Sequence, residues 1–467
     1  MQNRGYITIL VLVFSAVFLT LITSLAGFIF IQQKVQLAKE NREKAVQIAE
    51  AGLDYYRWFL AHFPDDLENG TGLPGPYEID YADPEGGNIG TFSLEIEGNE
   101  QCAVVSSIDI TSTGSTDADP TFKRTVFGRY ARPSVAEYAY IVNSNVWAGA
   151  DRVINGRYHS NGGIRMDGDN RSTVTSAVDS WLCTSSFGCS PSSNEDGVFG
   201  GGTNPELWEF PAAPIDFVGL TVDLAAMKDQ AKANGLYLEP TAKGKRIVFL
   251  PDGTIDVYIV NSTAWVWGYS TEEGWHQDRH IITNDSFVGN FALPANCQLI
   301  FAESDVWLEG EVSNKVTIAS ANLINANIDT SIILNGNITY TTTDGSVGLT
   351  AIAEEDVLVP LLSPENMTLR GILIAQNGRF GRNHYTTSGS NDVPSQYDSY
   401  VKQGTLTITG TIVSNGRVGT RWTSGGTFVS GYNDRLNYYD RNLAAEPPPL
   451  TPFVSSDFTF IEWREEN

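Results

Sequence analysis

The feature that most constrains this chain is an uncharged run of 26 residues, Tyr6 to Ile31. A bilayer core of ~30 Å needs about 20 apolar residues at ~1.5 Å each, so the run is long enough to span. Arg4 precedes it, and positive charge on that flank favours a cytoplasmic start and an outside location for the rest. A cleaved secretory signal would have a core of ~7–15 residues and a small-residue site; this run is longer and no such site follows. A plain single-pass anchor fits the run taken alone. The residues beyond it open a third reading. From Gln32 to Phe63 there is no Pro, and Gly52 is the one Gly. Ala45, Ile48, Ala49, Gly52 and Tyr56 recur at helical spacing, and Glu40 and Lys44 form an i,i+4 pair. The pattern predicts one helix from about Tyr6 to about His62, roughly 85 Å at ~1.5 Å per residue. Residues 6–31 are its transmembrane half and residues 32–65 its amphipathic half.

Beyond the helix the chain turns to β structure. Pro64 and the Gly/Pro-rich stretch at 70–76 end the helix. Residues 77–130 alternate apolar and polar side chains with Gly, Asn and Asp breaks, which predicts a small antiparallel sheet in an α+β unit over 66–135. From about Glu137 the strands are short, rich in Ile, Val, Leu and Thr, and broken at Asn335-Gly336, Asn377-Gly378 and Asn415-Gly416. Quasi-repeats of single strands suggest a parallel β-helix over 136–446. An antiparallel β-sandwich is compatible with the same alternation. Residues 221–234 read as a helix lying as a lid, with Thr221 as its N-cap and Asn234-Gly235 as its stop. Residues 447–467 read as a Pro-rich tail packed back along the body. The expected fold class is therefore mainly β with a long N-terminal α-helix.

Charge and side-chain chemistry narrow the function. The chain has 467 residues, 30 basic and 55 acidic, for a net charge of −25. Nucleic-acid binding needs a basic face, so that partner is not expected. Of four cysteines, Cys183 and Cys189 close a short loop that reads as a local disulfide in an oxidising compartment. Cys102 and Cys297 read as buried free thiols. No further soft ligands stand near the cysteines, so no metal is assigned. His159 reads as structural. Asp167, Asp169 and Asn170 lack the rest of a Ca²⁺-loop pattern. Glu354-Glu355-Asp356 is the densest acidic run of the β body and reads as a solvated edge, although glycosidases use paired acids in such bodies. No P-loop, GxGxxG, GxSxG or HExxH pattern occurs. No catalytic residue and no cofactor are assigned, and the chain is not expected to be an enzyme.

Residues 1–60 resemble the N-terminal module of PilX-like minor pilins of type IV pili. The resemblance is carried by Arg4-Gly5-Tyr6 and by Ala49-Glu50-Ala51-Gly52-Leu53. It implies a leader of residues 1–5, cut after Gly5 by a prepilin peptidase, with Tyr6 as the methylated first residue. Two positions depart from the pattern: Tyr6 stands where Phe or Met is usual, and Leu10 where major pilins carry Glu. The absence of that Glu is, in the family so resembled, a recurrent trait of tip-located minor pilins and pseudopilins. The later chain resembles the β-solenoid bodies of large PilX-like surface proteins through Gly156–Gly162, Trp307–Gly310, Ala375–Gly378 and Tyr439–Leu443. The implied partners are the lipid bilayer, other pilin subunits, the prepilin peptidase, and surface glycans or another cell-surface ligand. The implied location is a single-pass membrane protein with an extracytoplasmic body, at the cell surface or pilus tip after assembly. The alternative is a bitopic cell-surface β-helix protein that binds or cleaves polysaccharide.

Overall fold

A computed structural model describes every residue except 1–3, 64–65, 83–85, 218–222, 326, 456–457 and 467, and the side chains of residues 4 and 5. The chain forms two compact units. One comprises Met1–Asn99, Ser107–Ala131 and Phe458–Asn467; the other comprises Glu100–Ser106 and Arg132–Asp457.

The first unit is one helix on one sheet. Helix α1 runs unbroken over Arg4–His62. Strands β1 (Tyr77–Ala82), β2 (Asn88–Gln101), β3 (Val104–Thr116) and β4 (Asp119–Ala131) follow, and the sheet is completed by Thr459–Glu466 beside β4. That last strand runs antiparallel to β4, with Thr459 opposite Ala131 and Glu466 opposite Thr125. It corrects the expectation of a tail over 447–467: the alternation of DFTFIEWREE is that of a sheet strand. In α1, Ala45, Ile48, Ala49 and Tyr56 of the expected helical stripe are buried, and Leu53 and Leu60 are buried beside them. Facing side chains include Phe92, Leu94, Ile110 and Val126. Glycines set the distance between the layers. A Cβ on Gly52 would lie 2.2 Å from Ser112 Oγ and 2.9 Å from the Phe92 ring. A Cβ on Gly114 would lie 2.3 Å from the Ala45 carbonyl oxygen and 2.5 Å from the Ala49 nitrogen.

The second unit is a stack of parallel strands threaded in an unusual order. One ladder joins, in space, Leu236–Leu238, Leu299–Ala302, Lys315–Ser320, Gly348–Ala353, Met367–Ala375, Lys402–Ser414, Tyr138–Val142, Arg157–Ser160, Val174–Ser176 and Trp208–Glu209, every neighbour parallel. The late strand Lys402–Ser414 thus pairs with the early strand Tyr138–Val142, Ile412 opposite Tyr140. A second ladder repeats this: Thr427–Tyr438 pairs in parallel with Arg152–Asn155. The chain therefore enters in the middle of the stack, builds toward one end, restarts at the other end with Leu236, and returns to the middle.

Register makes columns of like side chains. Ile300, Ile318, Ala351, Leu373, Ile412, Tyr140, Tyr158 and Val174 are successive partners, all buried in one core. The adjacent column points to the other face: Phe301, Ala319, Ile352, Ile374, Val413 and Ile141 are buried under Met227, Ala231 and Leu443. A parallel ladder covered on both faces accounts for its near-continuous apolar strands. Asparagines form a column of their own at a turn. Asn161 donates to Asn143 Oδ1, Asn143 to Asn415 Oδ1 (both 2.8 Å) and Asn415 to the Asn377 carbonyl (2.7 Å). Asn377-Gly378 and Asn415-Gly416 thus mark turns of successive stacked strands. At another corner Gly371 and Gly410 are register partners with φ of 146° and 134°. A Cβ on Gly410 would meet the Gly371 carbonyl oxygen at 2.1 Å.

The covering helix spans Leu224–Asn234. Thr221, the expected N-cap, lies outside the described residues; Asp223 caps the helix, its Oδ1 accepting from the Ala226 N–H at 2.9 Å. Lys228 of this helix pairs with the fully buried Glu303. The main departure from parallel pairing is a long antiparallel ribbon, Thr254–Ser270 with Gly274–Ala292. Its Val266 and Ile281 pack with Leu361, Tyr385, Val393 and Val401.

All four cysteines are paired. Cys183–Cys189 closes the short loop after Ser180–Cys183. Cys102 is bonded to Cys297, which corrects their reading as free thiols. Both are buried with Cα atoms 4.4 Å apart, and the Cys102 N–H also donates to the Asn296 carbonyl at 3.0 Å. The pairing was hidden by a separation of 195 residues, and four cysteines allow three connectivities. Cys102 and Ala103 hold φ of 55° and 59° at the tip of the β2–β3 hairpin, where Asn-Gly is the usual occupant.

Two stability predictions follow from this packing. Gly114→Ala presses a methyl group on helix backbone that cannot turn aside, and should cost about 1–3 kcal/mol, read as a lowered thermal midpoint of the first unit. In the chain-entropy account a loop of this length stabilises by about 5 kcal/mol and the Cys183–Cys189 loop by about 2. Chemical denaturation of Cys102→Ala/Cys297→Ala should therefore show the larger loss than Cys183→Ala/Cys189→Ala. Thiol titration of the denatured, unreduced protein should find none free.

Candidate functional site

The first candidate site is the helix itself. From Tyr6 to Ile31 the large apolar side chains of α1 are solvent-facing all round, Leu10 at 57% exposure and Tyr6 at 80%. The helix holds a stretch of mean hydropathy 2.6, none of it buried, and is apolar and long enough to cross a membrane. Thr20 and Thr23 turn their hydroxyls back onto the Val17 and Leu19 carbonyls at 2.8 Å, which removes two polar groups from the helix surface. Below this stretch Lys44 pairs with Glu40 at 2.8 Å, and the buried stripe then begins at Ala45. Gly5 and Tyr6 lie in the first turns, Ala49 and Gly52 face the sheet, and Glu50 lies half-buried. An apolar surface on every side can be satisfied only by lipid or by other apolar helices.

The second candidate is a polar network under the ribbon. Asp278 is buried, and its carboxylate accepts from the Tyr385 hydroxyl at 2.5 Å, from Asn383 Nδ2 at 3.0 Å and from the His280 N–H at 3.0 Å. The His280 Nδ1 stands 2.8 Å from Asp278 Oδ1, an ion-pair approach out of line for a hydrogen bond. Burial opposes the charge on Asp278, but His280 and these donors outweigh it and hold the carboxyl well below its usual range. Asn383 Nδ2 also reaches His276 Nε2 at 3.2 Å, and Arg379 reaches Asn383 Oδ1 and Glu272. Three donors converge on this carboxylate, and two of them, Asn383 and Tyr385, follow the strand Phe380–Gly381, so the network fastens the ribbon to the body beneath it. Sequence reading missed it because its members lie about 100 residues apart; the spacing Asp278-x-His280 is its only local trace.

The other expected positions are structural in geometry. His159 is buried between Thr175 Oγ1 (2.8 Å) and Asn161 Oδ1 (2.9 Å), and desolvation lowers its affinity for a proton. Asp167 is engaged by Trp147 Nε1, Arg165 Nε and the Gly201 N–H, all at 2.8–2.9 Å. The Cys183–Cys189 loop lies beside Trp181, which contacts Phe187 and Phe199. No group of metal-ligating side chains is found among the described residues. The run Glu354-Glu355-Asp356 is half-buried rather than fully solvated. Glu354 accepts from the Asn322 N–H and Asp356 from the Arg379 N–H. Burial, then the charges of Asp356, Asp329, Glu354 and Glu273, push Glu355 up to about 7.

Comparison with known proteins adds little. No family model matches the chain, and no characterised protein matches it by sequence. Among solved structures it is similar to the competence-associated pilin ComZ of Thermus thermophilus, at 13% identity and a TM-score of 0.31, over 91% of this chain and 97% of that one. A likeness at that score carries no argument here.

Glu355 gives a pH prediction. A carboxyl whose folded value is raised binds its proton more tightly in the folded state, so its contribution is present below about 4.3 and lost as pH rises through about 7. Glu355→Gln should raise the thermal midpoint at pH 8 and leave it nearly unchanged at pH 4. Differential scanning calorimetry at the two pH values checks this; equal shifts would contradict it.

Proposed function

We propose that this chain is a non-enzymatic, pilin-like subunit of a type IV pilus or related pseudopilus. The observation that supports it best is the division of α1: one half apolar all round and uncovered, the other half packed on a sheet through Ala49 and Gly52. In this reading the apolar half sits in the bilayer after export and then among the helices of neighbouring pilin subunits. A prepilin peptidase removes residues 1–5 at Gly5, and Tyr6 becomes the methylated first residue. The second unit, read as a β-solenoid, is displayed outside the membrane for adhesion or tip assembly, with surface glycans as candidate ligands.

Leu10 bears on the place in the filament. A subunit's cationic N-terminus entering an apolar bundle costs several kcal/mol unless a partner charge meets it. Leu10 supplies none, and no acid occurs before Glu40. Such a subunit cannot neutralise a neighbour by this route, which is tolerable once per filament and costly if repeated. The reading is therefore of a low-copy, tip-proximal or initiating subunit. The second reading, a bitopic surface protein without a filament role, rests on the same apolar span.

Mass spectrometry of the mature N-terminus separates the two. Methylated Tyr6 is the expected first residue, and an intact Met1 would sink the pilin reading. Immunogold labelling of isolated filaments should decorate ends, not shafts; uniform labelling would remove the tip assignment.

A further inference from the structure

The outer half of the ribbon carries surface chemistry that the filament reading leaves unused. On Thr254–Ser270, Val266, Gly268 and Ser270 are buried against the body, whereas Trp265 is 45% exposed and Trp267 and Tyr269 are half-buried. Residues two apart on a strand share a face, which sets Trp267 beside Tyr269; Trp265 stands at a bulge in the ribbon and joins them through its ring contact with Trp267. Trp275, 39% exposed, lies opposite Tyr269 on the paired strand and extends the row. The centroids of Trp265 and Trp267 are 5.8 Å apart and those of Tyr269 and Trp275 are 5.6 Å apart. Trp422 continues the aromatic surface, 5.8 Å from Tyr269. Polar groups flank the rings. Gln277 lies opposite Trp267 and accepts from Arg279 at 2.5 Å. The turn presents Glu272 and Glu273, both partly exposed. Among the described residues from Trp265 to Arg279, no aliphatic side chain is exposed.

Packing around His384 accounts for part of Tyr269, Trp275 and Trp422, but not for Trp265 or the exposed part of Trp275. The ribbon is already fastened from beneath by Val266, Ile281 and the Asp278 network. Each tryptophan left in water forgoes stabilisation that burial would supply. The pattern instead matches a ligand with flat apolar faces and polar edges. We propose that this row of rings binds an uncharged polysaccharide chain. The faces of a pyranose ring present C–H bonds of slightly positive character, which stack on the negative face of an indole or phenol ring. Its hydroxyls project from the ring edge, within the class of groups that Gln277, Arg279 and the turn carboxylates donate to or accept from. The acidic turn and the net charge of −25 oppose a polyanionic glycan. A protein partner is less suited, because protein hot spots set aromatic anchors in desolvated pockets, and this end of the ribbon, from Trp265 to Arg279, is open and exposes no aliphatic side chain.

The test uses the detergent-solubilised full chain in native gels cast with hydroxyethylcellulose, dextran, galactomannan or polygalacturonate. At least one of the three neutral polymers should retard the chain, and polygalacturonate should not. Trp265→Ala/Trp275→Ala should weaken the retardation at least tenfold while cooperative thermal unfolding is retained at a modestly lowered midpoint, since each side chain is about half covered. Trp275→Phe should keep part of the binding. Retardation by none of the neutral polymers, equal retardation by polygalacturonate, or full binding by the double variant each overturns the proposal. Capture of a protein or of anionic phospholipid vesicles in place of glycan, lost in the double variant, overturns it equally. Filament incorporation of the double variant should be unaffected, so this result stands or falls apart from the pilin reading.

Discussion

The parallel pairing of Ile412–Ser414 with Tyr140–Val142 is the interaction on which the second unit depends. Every other step of that ladder joins strands nearer in sequence; this one joins its last strand to its first, and the second ladder has a matching step between Thr427–Tyr438 and Arg152–Asn155. Without these two steps the early strands and the late strands would be two short stacks, each with an open edge. The side chains at the seam agree with the backbone. Ile412 continues the aliphatic column into Tyr140 and Tyr158, and Asn415 continues the asparagine column into Asn143 and Asn161. The buried Arg435, paired with Asp151 at 2.7 Å, adds a charged contact across the second ladder. No strand in such a stack is stable alone, so the seam must form for the ladders on both sides to be covered.

The sequence made some of this plain and hid the rest for physical reasons. The helix was legible because two local signals agree: an uninterrupted apolar run, then the stripe of Ala45, Ile48, Ala49, Gly52 and Tyr56. The β-rich character of the remainder was legible from alternation and Asn-Gly breaks. Pairing partners were not. Parallel strands are joined by hydrogen bonds with no fixed spacing in sequence, so the order of strands left no periodic trace. Cys102 and Cys297 were misread for the same reason. Among the proposed processing and helix residues, Ala49 and Gly52 have a visible role in packing, whereas Tyr6 and Leu10 gain meaning only from what surrounds the apolar half. The aromatic row was visible as Trp265, Trp267, Tyr269 and Trp275, but only the register of the ribbon places Trp267, Tyr269 and Trp275 on one face, and Trp265 joins them by its ring contact with Trp267.

The carboxylates show how burial divides groups of one chemistry. Asp278 is held charged, against its burial, by His280 and the donors that converge on it, and Glu355 is held toward neutrality by burial and then by other acids. The first fixes a ribbon in place at any ordinary pH. The second leaves a small patch whose charge follows the surroundings. Neither was separable by residue type alone, since both lie in acidic or polar stretches of similar composition.

The position of Thr459–Glu466 in the first sheet has a consequence for biosynthesis. The strand that covers the edge of β4 comes more than 300 residues after β4 in the chain. At ~5–20 residues per second, tens of seconds separate their emergence. Throughout that interval the helix is already made while its sheet still has an open edge, the state most prone to pairing with the wrong strand. A chain cut short anywhere in the inserted body leaves that edge open permanently. The sheet that seats the helix is thus finished only by a chain that has been read past its inserted body, so closure of that sheet reports that the inserted body has been made.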